Sequence, residues 1–118
     1  APSRILLVGT TAELPQLEAL AQKLNGKTLV AIALIGNSKS FASTLKEGYT
    51  LHTLSDSDPA LPALISRADG IVATPSTVSL TPIRNATAPV ATWASTPGLP
   101  NAIKVASVDD PVLMTFFR

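Results

Sequence analysis

The stretch ILLVGTTAELPQLEAL, residues 5–20, decides the fold. Ile5 to Val8 is apolar at every position, and a strand buried on both faces has that pattern. Gly9 ends the run. Thr10-Thr11-Ala12-Glu13 then has capping-box spacing, in which side chains satisfy the free amides of a helix start. Leu14, Leu17, Leu20, Ala21 and Leu24 recur on one helical face, and Asn25-Gly26 closes the helix because glycine tolerates the left-handed conformation of a C-cap. A buried strand passing directly into an amphipathic helix is the first half of a strand–helix–strand unit.

The remainder of the chain continues the alternation. Thr28 to Ile35 is apolar on both faces and reads as a central parallel strand ended by Gly36-Asn37. Ser38 to Glu47 reads as a short helix with Phe41 and Leu45 inward, closed by Gly48. Tyr49 to Leu54 alternates as a strand. Asp58-Pro59 supplies an N-cap and a first-turn proline for a helix that carries Leu61, Leu64, Ile65 and Ala68 inward. Asp69-Gly70 turns into a strand over Ile71 to Thr74. Eight of the ten prolines lie at position 59 or beyond, so later helices must be short. Thr77 to Asn85 has room for one helical turn, and Pro89 to Ala94 and Asn101 to Ser107 read as strands around a loop at 96–100. Asp109-Asp110-Pro111 reads as a turn, after which Val112 to Phe117 returns as an antiparallel strand. The fold class is therefore α/β: a mostly parallel sheet with right-handed crossovers that finishes in an antiparallel hairpin.

The bulk numbers bound the function. The 118 residues fit one domain, 1–118, and 46% hydrophobic against 14% charged residues are enough for a real core. Net charge is +1 with scattered cations and few aromatics, so neither a phosphate-backbone stripe nor a base-stacking platform is expected. Cysteine is absent and His52 is the sole histidine, which excludes thiol nucleophiles, Cys-ligated clusters and multi-His metal sites within this chain. No apolar run reaches the ~18 residues of a membrane span. Cytoplasm is the default expectation. The chain starts without Met, so we expect it to be processed or cut from a longer protein.

Few residues offer chemistry. The Gly9-Thr10-Thr11 turn lies where open α/β sheets bind ligands, but it has one glycine where a dinucleotide fingerprint needs three, and no GxxxxGK[ST] loop occurs anywhere. Thr74, Ser76 and Thr77 cluster after the fourth expected strand. Their hydroxyls suit a phosphate or ribose, or equally the capping of a short helix. Asp109 and Asp110 are adjacent on an extended chain, point to opposite sides, and belong to the turn. Asp56 and Asp58 are better read as a helix cap. His52 has no carboxylate or nucleophile near it in sequence, and Trp93 reads as a core or interface residue. No Ser-His-Asp arrangement can be built, so a hydrolase is not expected.

Asn101-Ala102-Ile103, Val105, Ser107, Asp110-Pro111-Val112, Thr115 and Arg118 resemble the end of the amino-terminal domain of electron transfer flavoprotein alpha subunits. Leu17 to Leu20, Lys23 to Lys27, Val30 to Gly36, Asp56 with Asp58 to Leu61, and Asp69 to Thr77 with Pro82 and Arg84 are similar to that domain in the same order. Ser79-Leu80 stand near the place of the family's Gly-Lys pair, and Ile83 splits its Pro-Arg pair. The resemblance implies a three-layer, Rossmann-like sheet of the adenine-nucleotide-hydrolase type. It implies a non-catalytic scaffold that packs with a beta-type subunit and a flavin domain, and that serves electron transfer through FAD held mostly by that later domain. In that family a related beta-subunit domain binds AMP near the equivalent loop, so the resemblance marks Thr74, Ser76 and Thr77 as a relic or an alternative site for an adenine nucleotide such as AMP. Two alternatives stay open: a free-standing nucleotide-binding module, and an NAD-dependent siroheme-forming dehydrogenase domain, whose V-D-D-P-like stretch is similar to Val108 to Pro111.

Overall fold

The structure, a computed structural model, describes residues 4–24, 29–36, 42–46, 48–93 and 102–105. Among the described residues seven strands form one sheet: β1 (Arg4–Thr10), β2 (Leu29–Ile35), β3 (Ala42–Lys46), β4 (Tyr49–Leu54), β5 (Gly70–Ala73), β6 (Val90–Thr92) and β7 (Ala102–Lys104). The helices described are α1 (Leu14–Leu24), α2 (Ala60–Arg67) and α3 (Thr81–Arg84), interleaved with the strands, with a 3-10 turn over Thr11–Glu13 leading into α1. The order across the sheet is β3-β4-β2-β1-β5-β6-β7, and every neighbouring pair is parallel except β3 with β4. Without β3, the strands run third, second, first, fourth, fifth, sixth in chain order. That order is compatible with a Rossmann-like fold, and its direction of winding reverses between β1 and β5.

The apolar run at residues 5–8 explains why β1 is central. Ile5 and Leu7 belong to one buried cluster with Leu17, Leu20, Ala21 and Leu24 of α1. Leu6 and Val8 belong to another with Leu61 and Ile65 of α2 and Ile83 of α3. Each fully buried leucine or isoleucine contributes roughly 1.5–3 kcal/mol relative to exposure. The start of β1 is tied to β5 by a reciprocal pair: the Arg4 amide donates to Asp69 Oδ2 at 3.1 Å, and the Asp69 amide donates to the Arg4 carbonyl at 2.9 Å.

Asp58 caps α2 as its position suggests. Its Oδ1 accepts the Ala60 amide at 2.8 Å, while Pro59 (φ −64°) enters the first turn.

The helix expected over Ser38 to Glu47 is corrected by β3. Ala42–Lys46 pairs antiparallel with β4, from Ala42 opposite Thr53 to Lys46 opposite Tyr49. All five residues of β3 are exposed, and Leu45, expected inward, is 83% exposed. Gly48 has φ 90°, the left-handed conformation that serves a helix C-cap and a hairpin turn equally well. The antiparallel pair thus lies at the β3 edge. The expected closing hairpin over 106–118, the 96–100 loop, Asn25-Gly26 and Phe41 lie outside the described residues.

Candidate functional site

The carboxyl ends of β1 and β5 meet at the reversal of winding, the place where sheets of this order take ligands. Thr10 and Glu13 arrive there from β1 and its 3-10 turn, and Thr74 to Thr77 from the segment after β5. Thr11 stands beside the end of β2, close enough that a Cβ on Gly36 would lie 3.5 Å from its Oγ1.

The capping box is formed, and it engages the helix start. Glu13 Oε1 accepts the Thr10 amide at 2.9 Å and the Thr10 hydroxyl at 2.8 Å. A carboxylate therefore sits at the amino end of the first helix, where unpaired amides and the helix dipole would otherwise favour an anionic ligand. The Ser76 hydroxyl reaches the other oxygen, Glu13 Oε2, at 3.4 Å and so links the β5 loop to the β1 turn.

The three hydroxyls proposed for a nucleotide loop divide into two kinds. Thr74 and Thr77 are buried, at 0% and 1% exposure. Their Oγ1 atoms are 3.1 Å apart, and Thr77 Oγ1 donates toward the carbonyls of Val8 and Thr74, each at 3.2 Å. The Thr74 carbonyl also accepts the amides of Thr77 and Val78 at 3.0 Å. Through Thr77 they fasten the β5 loop to Val8, near the end of β1. Ser76 alone of the three is exposed. Among the described residues, no buried side-chain nitrogen or oxygen is left without a hydrogen-bond partner.

Gly9 makes this closeness possible. A Cβ there would lie 2.7 Å from Leu17 Cδ1 and 3.0 Å from Thr74 Cγ2, so α1 and β5 both press against a bare backbone. In dinucleotide-binding turns one glycine has the same packing role, whereas the others let a pyrophosphate approach. Here the packing glycine is present, and Thr11 and Glu13 occupy the turn that follows it.

Two further side-chain contacts lie away from this crevice. The Tyr49 hydroxyl donates to Glu18 Oε2, joining β4 to α1. That hydrogen bond, then burial, then the Glu18 charge push the Tyr49 phenol up to about 12. Ser43 Oγ and His52 Nδ1 lie 2.7 Å apart across the β3–β4 pair. Burial holds the His52 imidazole below its ordinary value. This serine–histidine contact escapes sequence reasoning because a helix over 38–47 separates the two residues, while a hairpin about Gly48 sets them opposite one another.

Among the described residues, no group of three His, Asp or Glu side chains is placed to hold a metal, and no helix is long and apolar enough to cross a membrane. The chain is thus an α/β protein with a seven-stranded, mostly parallel sheet and one antiparallel pair. Comparison with protein-family models, curated proteins and solved structures found no match.

Proposed function

We propose that the chain is a non-catalytic scaffold domain of the electron transfer flavoprotein alpha type, with a three-layer, Rossmann-like architecture. It packs with a beta-type subunit and a flavin domain, and it serves electron transfer through FAD held outside this domain. A cofactor bound elsewhere carries the redox chemistry, and the scaffold sets where that cofactor stands. One observation supports a scaffold above a ligand-binding role: the polar groups at the β1–β5 crevice are engaged with one another. Glu13 fills the helix start, the buried Thr77 hydroxyl is bonded to backbone carbonyls, and the buried Thr74 hydroxyl is bonded to that of Thr77. The flavoprotein assignment itself rests on the sequence resemblance. Its test is mixing the purified chain with an electron transfer flavoprotein beta-type subunit and following mass by light scattering. A one-to-one complex is expected, and two unassociated species would refute the assignment.

A second reading is favoured by the strand order. A sheet wound third, second, first, fourth, fifth, sixth places its switch point at Gly9–Thr11 and Thr74–Thr77, which suits a free-standing nucleotide-binding module for AMP or NAD. In that case Ser76 is the exposed hydroxyl that meets the ligand, and Glu13 must leave the helix start to admit a phosphate. The siroheme-type dehydrogenase lacks comparable support, because its Gly-rich turn has no counterpart after β1.

A further inference from the structure

We propose that Ser43 is a reactive serine, a site at which this chain accepts an acyl group from an activated ester, with His52 as its general base. The placement comes from strand register. Ser43 on β3 lies directly opposite His52 on β4. Directly opposed residues project from the same face of a sheet with Cβ atoms ~4.5–5.5 Å apart, within bonding reach for a serine and an imidazole. Oγ and Nδ1 are 2.7 Å apart, the separation required between a hydroxyl nucleophile and the base that activates it. With the ring proton on Nε2, Nδ1 accepts from the hydroxyl.

The surroundings suit attack from outside. Ser43 is exposed, as is every residue of β3, so a donor in solution reaches Oγ without opening the core. His52 is half-buried and its imidazole is held below the ordinary value, so it is neutral and able to take a proton at pH 7. In the step itself, Ser43 Oγ forms a bond to the carbonyl carbon of the ester as its proton passes to Nδ1. The tetrahedral intermediate collapses, the bond from that carbon to the leaving-group oxygen breaks, and the alcohol or phenol departs. His52 then returns its proton to solvent or to the leaving group. The product is an O-acyl serine on the scaffold, a modification that requires no turnover and no further cofactor.

p-Nitrophenyl acetate is a direct probe, with the acetylated position found by peptide mass mapping and the rate followed by nitrophenolate release. Acetyl on Ser43 in preference to the exposed Ser57 and Ser66 is expected, with Ser43→Ala abolishing the rapid phase. General-base assistance is worth about 10²–10⁴-fold, so His52→Gln should slow acetylation of Ser43 by at least ~10²-fold. Because that variant could fail to fold, the wild-type rate is also measured against pH. It should rise through a midpoint below 6.5, the ordinary imidazole value. Acetyl spread over serines and lysines without preference would overturn the proposal. So would a Ser43 rate unchanged in folded His52→Gln, or a wild-type rate without an inflection in that range. Each would mark the contact as a structural cross-strand pair.

Discussion

Gly9→Ala tests how tightly α1, β1 and β5 close upon one another. The new Cβ would stand 2.7 Å from Leu17 Cδ1 and 3.0 Å from Thr74 Cγ2. Carbon atoms rest comfortably at about 3.5–4.0 Å, so Leu17 must retreat by roughly 1 Å. Leu17 and Thr74 are both wholly buried, and Thr74 is further held through Thr77, which leaves little room for the retreat. Forcing an extra methyl into such a core costs about 1–3 kcal/mol. Replacing glycine also stiffens the unfolded chain, which returns about 0.4–1 kcal/mol. At the middle of both ranges the net expectation is a loss of about 1.3 kcal/mol, or roughly 5 °C in Tm for a domain of this size. Gly36→Ala is the matched control: among the described residues its Cβ would meet Thr11 Oγ1 alone, at an ordinary 3.5 Å, so the unfolded-chain term dominates and stability should be unchanged or rise by up to about 1 kcal/mol. Urea unfolding with an unchanged m-value measures both variants. A Gly9→Ala protein as stable as wild type, or a Gly36→Ala protein equally damaged, would refute the close-packed turn.

Three further outcomes follow from the same contacts. Thr77→Val removes a buried hydroxyl and its bonds to the Val8 and Thr74 carbonyls, and urea unfolding should show a loss of about 1–3 kcal/mol; no loss would mean the hydroxyl does not fasten the loop. Tyr49 is raised from 10.0 to about 12, so its protonated form is favoured in the folded state. Its stabilisation is full below pH 10 and disappears as pH rises through 12. Tyr49→Phe should erase that alkaline slope, and a spectrophotometric titration showing phenolate already formed at its ordinary pH would contradict the Glu18 bond. His52 has the opposite sign: its lowered value means stability is full above 6.5 and falls as pH drops through the folded-state value. Chemical denaturation from neutral to mildly acidic pH should show a decline that His52→Gln lacks.

How far the sequence reveals this molecule depends on how local the deciding contacts are. Ile5 to Val8, the Thr10–Glu13 spacing and Asp58-Pro59 each contain their own structural instruction within a few residues, and β1, the start of α1 and the cap of α2 appear where they imply. Gly48 does not, because its left-handed backbone ends a helix or turns a hairpin with equal ease. Phe41 and Leu45 at helical spacing favoured the helix, yet Leu45 faces solvent. The same ambiguity hides the Ser43–His52 contact, which exists only in the hairpin. The Thr74, Ser76 and Thr77 cluster was visible as composition, but its use was not. Thr77 bonds a carbonyl 69 positions earlier, and nothing local to either segment announces that β5 will lie beside β1. Strand order, which fixes the crevice, is likewise a property of the whole chain.

The most direct test of a scaffold whose crevice is closed by its own side chains is calorimetric titration of the purified chain with AMP, ATP, NAD and FAD, paired with thermal unfolding in each ligand. A ligand confined to the folded state at 100 times its Kd would add about 2.7 kcal/mol, which a melting curve resolves easily. No binding heat and no rise in Tm with any of the four is expected. Saturable binding of AMP or NAD, weakened by Ser76→Ala, would contradict the scaffold and establish the switch point as a nucleotide site.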